Sequence, residues 1–374
     1  MLRHDDWQNW RGRRVLVTGH TGFQGGWLCR ALHLAGAEVY GFSLDVPTSP
    51  SFFETARVQE VLAADLRGDI RCAESVSDAL KRARPDVVFH LAAQGTAKAS
   101  MESAYATFET NVMGTVQVLE CIRKRELPCA IVMVTSDACY RPSSAAHRED
   151  APLGGEDPFS ASKAAAELAI HAWRQSFAPT SDVDLHGIAI ATVRAGDIFG
   201  GGDYASGRLV PDIVRAFGHG EAVRLRRATS TRSWQHVLEP VRGYMMLANA
   251  LLGGDAWRHC CAWNFGPDVR NTCSVASFAS RFSAALGGEP WERHTADFTR
   301  PEFARPRIDA SQAQRVLDWA PTWGLRTSID ASASWYAAAF DAHTDVAALT
   351  DEQILTHHEA ATRAAENTRR AVAA

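Results

Sequence analysis

An apolar run, Val15-Leu16-Val17-Thr18, ends in Gly19-His20-Thr21-Gly22-Phe23-Gln24-Gly25-Gly26, and a helical pattern follows at once. No other stretch restricts the fold of this chain so strongly. Glycines at 19, 22 and 25 stand between a strand and a helix, the context a glycine spacing needs to carry weight. There the backbone can approach a pyrophosphate that a Cβ would block. The helix N-terminus offers its free N–H groups and positive dipole end to the anion. Asp45 follows 20 residues after Gly25, beyond the next strand, where an acidic side chain can hold a ribose hydroxyl. No arginine lies between Phe42 and Thr55 to receive a 2′-phosphate, which favours NAD over NADP. A glycine turn made only for packing is the alternative. The segment is read as a dinucleotide site.

The first half of the chain alternates short apolar runs with helical patterns. Strands are predicted at 14–18, 38–43, 86–91, 130–135 and 187–194, and helices at 25–35, 103–125 and 160–177. This rhythm predicts an α/β fold, a Rossmann-type doubly wound parallel sheet covered on both faces. After about residue 200 the pattern changes. Gly200-Gly201-Gly202 breaks the chain, and short strands at 223–226 and 262–265 mix with a helix at 240–252. That shift predicts a smaller C-terminal α/β lobe for the substrate, with a cleft between. The expected division is 1–198 for the dinucleotide, 199–340 mainly for the substrate, and 341–374 as a helical tail. In that tail, Thr350 followed by Asp351, Glu352 and Gln353 reads as a helix N-terminus, either solvated or touching a second copy.

Charge narrows the partners. With 39 basic and 43 acidic residues the formal net charge is −4, which gives no footprint for nucleic acid or an anionic membrane. No apolar run reaches the roughly 18 residues of a membrane span. The 8 cysteines lack metal-ligand spacing, so no metal is expected and the thiols are read as reduced. The N-terminus does not read as a signal peptide, and the expected location is cytoplasmic.

Further motifs extend the glycine loop: Ser43-Leu44-Asp45, Gly68-Asp69-Ile70-Arg71, His90-Leu91-Ala92-Ala93-Gln94, Asn111-Val112-Met113-Gly114-Thr115, Thr135-Ser136-Asp137 and Ser160-Ala161-Ser162-Lys163. Then come Arg194-Ala195-Gly196, Gly200-Gly201-Gly202-Asp203, Arg208-Leu209-Val210-Pro211-Asp212, Trp234-Gln235-His236-Val237 and Trp263-Asn264-Phe265-Gly266-Pro267. Over roughly residues 13–337 the chain resembles the extended short-chain dehydrogenase/reductases, and among them the CDP-glucose 4,6-dehydratases. The resemblance implies NAD, a nucleotide-diphospho-sugar substrate with a CDP-hexose favoured, and a homodimer. It implies cofactor contacts from Gly19, Thr21, Gly22, Phe23, Gln24, Gly25, Asp45, Asp69, Ile70, Leu91, Ala92, Ala93 and Lys163. Substrate contacts are implied from Gln94, Asn111, Phe159, Arg208, Arg232 and His236, the two arginines as diphosphate clamps.

In that family a Tyr four residues before a Lys takes the proton of the sugar 4-hydroxyl as hydride leaves. The Lys lowers the phenol pKa and holds the nicotinamide ribose. An Asp-Lys pair after the fifth strand then serves as acid and base. Here the Tyr position is Phe159, the Lys of the pair is Ala138, and the Asn that usually follows Arg-Ala-Gly is Asp197. A phenyl ring carries no titratable proton and a methyl group is no base. Asp137, Ser136, Lys163 and Asp197 remain as catalytic candidates, each against a structural alternative. Tyr140, His147 and Cys139 are weaker. The cofactor loop survives while the reacting groups have changed, which points to an enzyme with altered chemistry: proton transfer, elimination or epimerisation. A catalytically silent binding subunit, or the same fold acting on another small metabolite, are the alternatives.

Overall fold

The computed structural model describes residues 5–225, 227–288, 291–293 and 308–373. Seven strands form the main sheet: β1 (Arg14–Thr18), β2 (Glu38–Ser43), β3 (Ala64–Arg67), β4 (Val87–His90), β5 (Cys129–Val134), β6 (Ile188–Arg194) and β7 (Ala262–Asn264). Their order is β7-β6-β5-β4-β1-β2-β3, with every neighbouring pair parallel. The longer helices are α1 (Phe23–Leu34), α2 (Ala73–Ala83), α3 (Thr115–Lys124), α4 (Pro158–Phe177), α5 (Leu209–Gly218), α6 (Leu238–Leu251), α7 (Val275–Leu286), α8 (Leu325–Phe340) and α9 (Val346–Ala373).

Strand side chains alternate between two buried layers, as the pleat requires. Val15, Val17, Val87, Phe89 and Val132 share one core with Trp27 and Leu28 of α1 and Val241 of α6. Leu16, Val88, Ile131 and Met133 share the other with Leu80 of α2, Ile122 of α3 and Ile170 of α4. Helices on both faces of a parallel sheet make this the doubly wound fold the sequence predicts. β1 pairs with β2 on one side and β4 on the other, so the strand order reverses there and a crevice opens at the strands' carboxyl ends. Beside it sits a smaller part built from short strand pairs, Ile198–Phe199 with Gln235–His236 and Thr231–Ser233 with Thr272–Ser274, together with α5, α7 and α8.

Two expectations need correction. The strand at 262–265 and the helix at 240–252, assigned above to the second lobe, belong to the main sheet. β7 pairs with β6, and α6 packs across β5, β6 and α1. Every residue of α6 is buried, so it has no solvent face to mark it as an outer helix. The tail helix also starts earlier than Thr350. Asp345 Oδ1 caps it by accepting from Ala348 N (3.0 Å), and Thr350 lies inside it, fully buried. The Thr350 hydroxyl accepts from Trp335 Nε1 (2.8 Å), and Asp351 pairs with Arg30 of α1 (2.7 Å). This half of the helix is packed, not solvated. Among the described residues no helix is long and apolar enough to cross a membrane.

Candidate active site

A cleft of about 1120 Å³ lies between the carboxyl ends of β1, β4, β5 and β6 and the smaller lobe. Gly19, Gly22, Phe23, Gln24 and Gly25 line one end. Gly19 has φ +77°, and a Cβ there would meet Ala92 N at 2.8 Å. A Cβ on Gly25 would stand 2.2 Å from the Gly19 carbonyl oxygen, so this glycine serves the packing of helix on turn. Gly22 caps α1 without any side-chain hydrogen bond to its first N–H groups, which stay available to an anion. A dinucleotide pyrophosphate fits this cradle.

Around the cradle, Leu91 and Ala93 line the cleft, and Ala92 N donates to Thr18 Oγ1 (3.2 Å). The Thr21 hydroxyl bonds to Ser43 Oγ (2.8 Å) and ties the loop to β2. Arg71 holds the Asp69 carboxyl below the usual range by hydrogen bonding to it. Ile70 is buried under Gly114. Asp45 stands almost fully exposed just beyond β2 and is not among the residues that line the cleft. Arg67, which escaped the sequence reading, comes from β3 to stand beside Asp45, because Ser43 and Arg67 pair across the two strands. Its Nη1 lies 3.0 Å from Leu44 O and 4.0 Å from Asp45 Oδ1.

At the other end of the cleft, Asp157 caps α4 by accepting from Ser160 N (3.1 Å), with Pro158 in the first turn. This sets Phe159 in the cleft wall, one turn before Lys163. Lys163 is buried, its Nζ donates weakly to Val134 O (3.5 Å), and burial lowers its pKa to about 8. Glu167, one turn further, does not pair with it. That carboxylate takes Arg194 Nε (2.9 Å) and Nη2 (2.8 Å), Thr135 Oγ1 (2.5 Å) and Thr192 Oγ1 (2.9 Å). Burial alone would raise its pKa, but the bonds and charge of Arg194 hold it low. The pair therefore fastens α4 to the ends of β5 and β6, the segments that carry Lys163, Asp137 and Asp197. Sequence reading missed it, although an acid in a buried helix and an arginine ending an apolar strand were visible signals.

Asp137 follows β5 in a single tight turn, where Ser136 Oγ donates to its Oδ1 (3.1 Å). A Cβ at position 196 would stand 1.8 Å from Asp137 Oδ2, so only glycine leaves room for this carboxylate. Asp197 adopts φ +46°, a region that Asn and Asp tolerate better than most side chains. Its Oδ1 faces Arg232 Nη1 at 3.6 Å, so the two expected groups, carboxylate and clamp, sit against each other. Arg208 donates to Asp203 Oδ2 (3.0 Å) and Gly95 O (2.9 Å), bridging the smaller lobe to the loop after β4. The Tyr140 hydroxyl donates to Asn264 Oδ1 (2.8 Å) and accepts from Arg194 Nη1 (2.6 Å). Burial pushes that phenol up, so it is no substitute base.

Three residues expected to touch substrate do not line the cleft. His236 is wholly buried against Trp27, Phe199 and Trp323, and burial pushes its pKa down to about 3. Asn111 donates to Ser162 Oγ (2.8 Å) and Gln94 O (3.1 Å) and accepts from Gln94 N (2.8 Å), so its amide is consumed within the protein. It sits in a π-helical stretch, Glu109–Gly114, that interrupts the long helix predicted over 103–125. Gln94 turns its Oε1 onto Thr96 N (3.3 Å). Both act as fasteners of the wall behind Phe159.

Residues 15–259 match the NAD dependent epimerase/dehydratase family. The chain is 40% identical over 331 residues to the CDP-glucose 4,6-dehydratase of Salmonella typhimurium, covering 88% of this chain and 92% of that protein. It is 28% identical to a dTDP-4-dehydro-6-deoxy-D-allose reductase of Streptomyces bikiniensis, covering 87% and 97%. Among solved structures, a Thermus thermophilus UDP-glucose 4-epimerase complexed with NAD has a TM-score of 0.73 at 23% identity, covering 87% of this chain and 99% of that one. A mutant dTDP-glucose 4,6-dehydratase from Streptomyces venezuelae with NAD bound has a TM-score of 0.73 at 24% identity, covering 87% and 97%. The structural likenesses speak for the fold alone. The family pattern and the 40% identity carry the assignment. A switch-point cleft with an open glycine cradle agrees with that assignment, and the chain belongs to the NAD-dependent epimerase/dehydratase family.

Proposed function

We propose that this chain binds NAD and a nucleotide-diphospho-sugar, a CDP-hexose by preference, and moves protons on the sugar without the tyrosine its family resemblance would place at 159. One observation carries the reading: the phenyl ring of Phe159 lines an otherwise equipped cleft one turn from Lys163, with Ala138 beside Asp137. Similarity to the Salmonella enzyme supports the CDP-hexose.

When bound, NAD supplies a reversible hydride acceptor. Lys163 Nζ, which at pH 7–9 exists in both protonation states, takes the proton of a sugar hydroxyl in its neutral form. Asp137 exchanges a proton with the carbon beside the resulting ketone or with a departing hydroxyl, and Ser136 Oγ orients it. Asp197 stays with Arg232 and shapes the diphosphate end. Losing a positioned acid or base costs about 10²–10⁴-fold in rate, so ordinary 4,6-dehydration is slow and proton transfer, elimination or epimerisation is favoured. A silent nucleotide-sugar-binding subunit is the second reading, favoured by the same Phe159 and Ala138.

Incubation of the protein with NAD and a panel of nucleotide-sugars in deuterated water, read by mass and NMR, separates these. Deuterium uptake or a new product supports the enzyme. Tight binding without exchange supports the silent subunit, and no sugar binding sinks both.

The segment 97–114, which packs against α4, exposes Met101, Tyr105, Phe108 and Met113, and α4 itself exposes Leu168. Exposed large apolar side chains on neighbouring elements favour burial against a second copy, and we propose a homodimer through them.

A further inference from the structure

We propose that the adenosine end of the cleft accepts NADP as well as NAD, because Arg67 is in place to receive a 2′-phosphate and the exposed carboxylate of Asp45 alone keeps NAD ahead. The inference rests on the dinucleotide reading above. The pairing of Ser43 with Arg67 brings the end of β3 beside the end of β2, where an acidic residue meets the ribose of a bound dinucleotide. The missing arginine between Phe42 and Thr55 is thus supplied in space from position 67.

Arg67 is held on three sides. Its guanidinium lies 5.0 Å over the Phe53 ring, its Nη2 bonds to Asp65 Oδ2 (2.7 Å), and its Nη1 donates to Leu44 O (3.0 Å). Asp65 is itself fixed by His20 Nε2 on the other oxygen (2.8 Å). A guanidinium has five N–H donors and these contacts use two, leaving donors for phosphate oxygens on a group that needs little reordering. Asp45 is the opposite case. Its side chain is 98% exposed and its carboxylate reaches Arg67 only at 4.0 Å, the outer limit of an ion pair. It can accept a hydrogen bond from a ribose hydroxyl but repels a 2′-phosphate. Since Asp65 already compensates Arg67, the charge of Asp45 sets the local sign.

The test is equilibrium titration of the full chain with NAD and with NADP, for the unaltered protein, Asp45→Asn, Arg67→Met, Arg67→Lys and the Asp45→Asn/Arg67→Met double variant. The unaltered protein binds both, NAD more tightly. Asp45→Asn tightens NADP by about tenfold or more, the range of one charge-assisted contact, and changes NAD far less. Arg67→Met weakens NADP by about tenfold and leaves NAD within about threefold, Arg67→Lys falls between, and the double variant loses the gain. Equal weakening of both cofactors by Arg67→Met would place the guanidinium on the adenine face and overturn the proposal. So would an Asp45→Asn protein with an unchanged NAD to NADP ratio. If the unaltered protein binds neither cofactor, the dinucleotide reading itself falls. If it binds NAD normally while NADP ignores both substitutions, only the role of Arg67 falls.

Discussion

Phe159 and Ala138 define what the catalytic end of the cleft lacks, and Lys163 defines what it keeps. The double substitution Phe159→Tyr, Ala138→Lys restores both missing groups in a wall that is already fastened by Asp157, Ser162 and Asn111. It is expected to raise conversion of CDP-glucose to a 4-keto-6-deoxy product by at least about tenfold, followed by mass. Folding and NAD binding unchanged with no such gain would mean that the sugar is held differently. Lys163 makes a separate claim through pH. Its pKa of about 8 lies below that of a free lysine because burial disfavours the cation. If the neutral amine is the proton acceptor, turnover rises with pH through about 8 and then levels. Lys163→Met removes that limb, whereas a lysine serving only as a cation would give turnover that falls over the same interval.

The buried pair Glu167–Arg194 ties α4 to β5 and β6, so its loss is felt in all three. Glu167→Gln leaves the Arg194 charge buried without its partner and is expected to destabilise the fold by about 3–5 kcal/mol, read as a lower urea midpoint. Adding Arg194→Met to that variant recovers part of the loss. The elements themselves were legible in the sequence wherever apolar period and caps agreed. β1 and β2 lie where the pattern put them, whereas α1 and α4 each begin two residues earlier than predicted, at Phe23 and Pro158, because Gly22 and Asp157 stand at their N-caps. Thr350 misled because hydroxyls suit helix interiors too when they can bond back to the preceding turn, as Thr350 does to Val346 O (2.7 Å). Asn111 and His236 misled for another reason: a motif fixes which residue stands at a position, not which way a polar side chain turns once neighbours compete for it. Arg67 could not be placed beside Asp45 without the register of β2 and β3.

The molecule as a whole opens its cleft at the carboxyl ends of the strands and carries exposed apolar residues, Tyr105, Met113 and Leu168 among them, on α4 and the segment packed against it. Tyr105→Glu with Leu168→Glu is expected to shift the protein from dimer to monomer in sedimentation while leaving its thermal midpoint within a few degrees, since neither side chain belongs to a buried core. A stable monomer of the unaltered chain would remove that interface. The crossing of the chain back into the main sheet bears on how the protein can be divided. All 7 residues of β6 are buried, and their outer neighbour arrives only with Ala262–Asn264. A fragment stopped near residue 198 would therefore carry a bare, flat, apolar strand as its margin. Such a margin recruits other strands, and the product of that cut is a sticky half-sheet prone to aggregation, not a free-standing nucleotide-binding domain.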